Sequence, residues 1–149
     1  PIPRLDGSSL ENAKKGRDEA TKELNLFLNE INENTGIPFE RIFLFGFSQG
    51  CMMSLHLAPR KNEKIAGVIG IAGMLMQPEL LEKEAVQKPP ILLVHGDEDD
   101  VVPYEELNIA ADTLLKSNFE VYTLTSKGAG HSITEDGLRA ALQFIKNIL

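Results

Sequence analysis

The chain has 149 residues, of which 42% are hydrophobic and 25% charged, enough to bury a core without disulfide or metal staples. Its one cysteine, Cys51, can form no internal disulfide, so a reducing compartment, by default the cytoplasm, suffices for folding. The net charge of −7 lies in the second half, because residues 1–75 carry nine charges of each sign and residues 76–149 carry six basic and thirteen acidic ones. With no basic patch to meet a phosphate backbone, nucleic-acid binding is not expected. The longest weakly polar run, residues 65–76, is 12 residues long and carries three glycines, too short and too broken to span a bilayer. No basic n-region followed by an apolar h-region is present, although a chain beginning at Pro1 can have been trimmed. With no repeat, low-complexity tract or dividing linker, residues 1–149 are expected to form a single domain.

Taken in order, the elements alternate between helical and strand periods. Ser8 and Glu11 form a capping box, and Ala13, Ala20, Leu24, Phe27, Leu28 and Ile31 recur at three- and four-residue steps up to Gly36, predicting an amphipathic helix over about residues 9–34. Residues 41–47 are aromatic and branched on both faces, as expected of a central strand covered by helices. A helix over 49–57, stopped by Pro59, leads to a second buried strand at 65–71. Segment 74–88 reads as a loop with a short helix opened by Pro78, and 91–94 as a third strand. Leu107, Ala110, Ala111, Leu114 and Leu115 mark one face of a helix over 104–116, and residues 119–125 alternate as a fourth strand. Ser132 with Glu135 is expected to cap a last helix bearing Leu138, Ala141, Leu142, Ile145 and Ile148. Strands separated by helices imply a mostly parallel α/β sheet of about four strands with helices on both faces.

Chemistry concentrates where the first strand meets its helix, at Gly46-Phe47-Ser48-Gln49-Gly50. A G-x-S-x-G string between a buried strand and a helix is a nucleophile elbow, which lifts the serine hydroxyl from the carboxyl edge of the sheet. The other reading is an ordinary strand-to-helix turn, since glycine and serine are common in turns, and the strand before and helix after favour the elbow. A serine needs a base, and the chain offers His56, His95 and His131. His56 lies two turns into the helix after Ser48 and reads as a packed or solvated helix residue. His95 ends the third strand before Gly96 and reads as a shaper of the turn. His131, in the glycine loop after the last strand, opens on the same edge as Ser48. It alone leaves room for an acid in the order Ser, acid, His expected of α/β-hydrolases. The loop after the third strand supplies Asp97, Glu98, Asp99 and Asp100, and spacing alone does not choose among them. His95, Asp97 and Asp99 can also be read as metal ligands, but catalytic zinc sites usually draw on more histidines. No metal or cofactor is expected.

Together, Gly46-Phe47-Ser48-Gln49-Gly50, His95-Gly96-Asp97-x-Asp99 followed by Val101-Val102-Pro103, and Gly128-x-Gly130-His131 resemble the phospholipase/carboxylesterase group of the α/β-hydrolase fold, which includes the acyl-protein thioesterases. The likeness covers nearly the whole chain. It implies Asp99 as the acid that orients His131, with Asp97 stabilising the turn. Asp100 stands where the family often has proline, and Cys51 where it often has a second glycine. Cys51 follows the elbow inside the helix and reads as a buried inert thiol.

These roles imply hydrolysis of a carboxylic ester or thioester through an acyl-enzyme on Ser48, with the backbone N–H of Gln49 as one oxyanion donor. Small acyl substrates, lipid-modified ones among them, are the expected partners, and Met74, Leu75 and Met76, with Leu80 and Leu81 nearby, are candidates for an acyl pocket or a satellite core. The resemblance also implies upstream strands and a second oxyanion loop before the first helix, so an N-terminally truncated fold is expected. An open edge on the strand at 42–47 then invites dimerisation. A catalytically impaired fragment acting as a binding or interaction domain is the alternative function.

Overall fold

The computed structural model describes residues 10–149. The chain divides into two compact units, residues 1–38 and residues 39–149. The described part of the first is one helix, α1 (Leu10–Thr35), running within a residue of its expected end. Gly36, at φ 71°, closes it by donating its N–H to Asn32 O at 2.9 Å, a left-handed exit that glycine makes without a Cβ penalty. Ser8 of the expected capping box lies outside the described residues. Phe27, which the spacing assigned to the apolar stripe, is exposed.

In the second unit a 3₁₀ turn at Phe39–Arg41 precedes β1 (Phe43–Phe47), α2 (Gln49–Arg60) and β2 (Gly67–Ile71). A short 3₁₀ turn at Pro78–Leu80 and α3 (Leu81–Glu84) follow, then β3 (Ile91–Gly96), α4 (Glu105–Lys116), β4 (Val121–Ser126) and α5 (Glu135–Ile148). All pairings are parallel and the four strands lie in the order β1-β2-β3-β4. Every strand therefore ends on one carboxyl edge.

Registers such as Phe45↔Ile69↔Leu92↔Tyr122 assign the side chains to faces. One face carries Ile69, Ile71, Leu92 and Val94 against Ala141 and Phe144 of α5. On the other, Cys51 of α2 packs over Gly70, and His95 and Leu93 share a void of about 10 Å³ with Leu107 and Ala110 of α4. Helices on both faces of a parallel sheet bear out the expected class. Among the described residues β1 is an outer strand, with Phe45 46% exposed.

Three local expectations need correction. Helix α2 does not stop at Pro59 but continues to Arg60, because a proline in the last turn forfeits one N–H bond while its carbonyl is taken up by the N–H groups of Val86 and Gln87 at 2.8 and 3.1 Å. The N-cap of α5 is Thr134, not Ser132, its hydroxyl accepting Gly137 N–H at 3.1 Å. The stripe that α5 buries centres on Ala141 and Phe144, leaving Leu138 and Leu142 half exposed, and Leu115 of α4 is likewise exposed. In each helix the apolar arc is wider than the strip the sheet can cover.

Candidate active site

Ser48 sits between the last residue of β1 and the first of α2, at φ 54° and ψ −112°. The turn is tight enough that a Cβ on Gly46 would lie 2.3 Å from the backbone of Gly50, and one on Gly73 would lie 3.0 Å from Ser48 O. Ser48 N–H bonds to Ile71 O at 2.8 Å, tying the elbow to the neighbouring strand, and Ser48 O accepts Met52 N–H at 3.1 Å to start the helix. Gln49 is exposed at the first turn of α2, where backbone N–H groups have no acceptor within the helix.

The acid and histidine loops leave the same edge from β3 and β4. Asp99 is three residues past β3, and its side chain is 0% exposed. Its Oδ1 accepts the N–H groups of Val101 and Val102 at 2.8 and 2.9 Å, and its Oδ2 accepts His131 Nδ1–H at 2.8 Å. Burial pushes the Asp99 carboxyl up, but the hydrogen bonds from His131, Val102 and Val101 outweigh it and hold it below the usual carboxylate value. With Nδ1 committed as a donor, His131 Nε2 is the acceptor for the Ser48 hydroxyl, 3.0 Å away. The ring is tilted against Phe47, centroids 4.8 Å apart, and its side chain is 16% exposed.

The two loops are stitched together. Asp97 Oδ1 accepts Gly128 N–H at 2.8 Å, and Glu98 N–H donates to Ala129 O at 2.9 Å. Gly96 permits the approach, since a Cβ there would lie 2.3 Å from Ala129 O.

The structure thus brings Ser48, Asp99 and His131 together, with Gln49 following Ser48 in the chain. Asp100 is exposed. His56 is buried in α2, and Cys51 is a buried free thiol whose pKa burial pushes up to about 12, a bond to the backbone of Gly73 opposing it only partly. Leu75 and Met76 are buried and Met74 half-buried. Met76 packs in a cluster with Met52 and Val102, against which Met53 and Met74 lie. Two contacts had escaped the sequence reading. Phe47 against His131 follows from its place beside Ser48 in the elbow, and His95 beside Asp99 could have been suspected from their four-residue spacing in a tight turn. Among the described residues no group of three or more His, Cys, Asp or Glu is placed to hold a metal, and no helix is long and apolar enough to cross a membrane.

A parallel sheet that carries a serine elbow, an acid turn and a histidine loop on its carboxyl edge, in that chain order, is the α/β-hydrolase arrangement. The solved structure of esterase PE8 superimposes with a TM-score of 0.90 at 37% identity, over 98% of this chain and 68% of that one. The phospholipase/carboxylesterase family model matches residues 2–149, and the chain belongs to that family. It is 35% identical to acyl-protein thioesterase 1 of Neurospora crassa over 95% of its own length and 32% identical to that of Gibberella zeae over 84%. It spans 61% and 54% of the lengths of those two relatives.

Proposed function

We propose that the chain is a serine hydrolase acting on carboxylic esters or thioesters through an acyl-enzyme. The observation that carries this reading is the continuous relay from Ser48 Oγ through His131 to Asp99, with spacings of 3.0 and 2.8 Å. Ser48 Oγ attacks the acyl carbonyl carbon as its proton passes to His131 Nε2. That proton then goes to the departing alkoxide or thiolate, so the acyl–oxygen or acyl–sulfur bond breaks and an alcohol or thiol leaves. Water, deprotonated by the same nitrogen, attacks the ester on Ser48 and releases the acid. Asp99 keeps the imidazole in the tautomer that accepts from serine, and Gln49 N–H, at the positive end of α2, faces the developing oxyanion. The names of the fungal relatives favour an acylated protein as substrate, and we assign the apolar acyl group to the methionine cluster, with Met53 and Met74 its least buried members.

Ser48→Ala and His131→Ala should each abolish hydrolysis of a short p-nitrophenyl ester and labelling by a fluorophosphonate. The double variant should lose little more, because residues acting as one unit are not additive. Additive losses would break the relay apart. A folded, unlabelled protein would instead favour the interaction-domain reading.

A further inference from the structure

His131 is not the only imidazole on the acid. His95 Nε2 lies 3.3 Å from Asp99 Oδ2, the same oxygen that accepts from His131, and the His95 side chain is 2% exposed. The same nitrogen lies 3.0 Å from Val102 O. A carbonyl and an ionised carboxylate can only accept, so the hydrogen of His95 must sit on Nε2. Tyr104 stands edge-on to the ring, with centroids 6.0 Å apart, and supports it in that orientation.

We propose that His95 is a positioning residue for Asp99, deepening the hydrolase reading on which the proposal rests. The final torsion of an aspartate is broad and roughly two-fold, so a buried carboxylate points where its partners make it point. Val102 is held at both ends: its N–H donates to Asp99 Oδ1 at 2.9 Å and its carbonyl accepts from His95. With the side chain of Asp99 closed to water, Oδ2 meets only imidazole nitrogens among the contacts described, His131 on one side and His95 on the other. His95 thereby fixes the turn that supplies the donors to Oδ1 and lends a second N–H dipole to Oδ2. It touches neither Ser48 nor the reacting atoms and acts through Asp99 alone.

Two-bond proton–nitrogen NMR on the whole chain labelled with ¹⁵N-histidine reads the tautomers directly. The result expected is His95 protonated at Nε2, in the unsubstituted chain and in Ser48→Ala alike. An Nδ1–H tautomer in either would overturn the proposal. His95→Phe keeps a ring but removes the donor, and should lower kcat on a p-nitrophenyl ester about 2- to 10-fold with KM nearly unchanged, the range for a lost hydrogen bond to a neutral carbonyl, here that of Val102. His95→Gln, whose amide nitrogen reaches about as far as Nε2, should recover most of that loss. Equal losses in the two variants, or a loss carried by KM, would overturn the proposal. If His95→Phe does not fold, the tautomer and the kcat of His95→Gln decide in the same sense. Hydrolysis that survives Ser48→Ala would remove the hydrolase reading while leaving the His95 tautomer as found, so the two failures are distinct.

Discussion

At the elbow, position is set by steric exclusion. Gly46 clears the backbone of Gly50, Gly73 clears Ser48 O, and Ser48 itself takes a backbone angle of φ 54° that few side chains adopt. At the histidine loop it is set by hydrogen bonds between segments far apart in sequence: Asp97 to Gly128, Glu98 to Ala129 and Asp99 to His131. The elbow is a device built mostly within a few residues, with one neighbouring strand end, Ile71 to Gly73, against it. The acid–histidine pair is a long-range one, standing only while two loops on neighbouring strands keep their register. Ser48 should therefore keep its place when the far loops are perturbed, whereas His131 should be displaced by changes that never touch it.

With Ser48 and His131 left in place, the largest expected effect lies on the long-range side. Asp99→Asn keeps the size of the side chain but lets His131 adopt the wrong tautomer, and should lower turnover by about 10⁴. Asp100→Asn, on an exposed side chain, should cost far less, and a reversal would place the acid one residue on. The same carboxyl predicts a pH effect on stability. Held below its unfolded value, about 3.9 for a free aspartate, it contributes stability that is complete above that value and is lost as pH falls through the lower folded value. Chemical denaturation between pH 6 and pH 2 should show this decline, reduced in Asp99→Asn. Next comes Gly96→Ala, whose new methyl would lie 2.3 Å from Ala129 O. Pushing the histidine loop off the acid turn by about 1 Å should cost about 10² in kcat/KM. A normal rate in a folded Gly96→Ala protein would show that the loops have room the structure does not display.

The same division governs what could be read in advance. The elbow was legible because its glycines, its serine and the flanking strand and helix are contiguous, and the sheet class followed from alternating periods. Asp99 was not separable from Asp97 and Asp100 by spacing, since only the fold shows that Val101 and Val102 turn their N–H groups onto it; the family resemblance had pointed to it. Asp97 reaches Gly128, 31 residues away, and His95 reaches Asp99 within a turn whose shape no periodicity encodes. Helix boundaries failed where a tertiary partner decided the outcome, as when the N–H groups of Val86 and Gln87 donate to the Pro59 carbonyl and α2 runs on to Arg60. Amphipathic stripes overreached for a related reason. They mark what can be buried, while the sheet determines how much is, so Phe144 is core and Leu142 is not.

The smallest effect sharpens the local side of the comparison. Ser48, at φ 54° and ψ −112°, lies in a region that costs a residue with a Cβ about 1–3 kcal/mol. Ser48→Gly removes that Cβ and the strain with it, but adds about 0.5–1 kcal/mol of backbone entropy to the unfolded chain. Ser48→Ala keeps the strain. Both variants lose the hydroxyl bonded to His131, and both keep the backbone N–H that bonds to Ile71 O. Those shared terms cancel when the two are compared with each other, leaving strain against entropy. Ser48→Gly should therefore be the more stable inactive variant by about 1 kcal/mol, a rise of roughly 2–4 °C in Tm for a chain of this size. Thermal unfolding followed by circular dichroism measures the difference. If Ser48→Gly melts at or below Ser48→Ala, the elbow stores no strain at Ser48, and its geometry rests on the clearances at Gly46 and Gly73 and the backbone bonds to Ile71 and Met52.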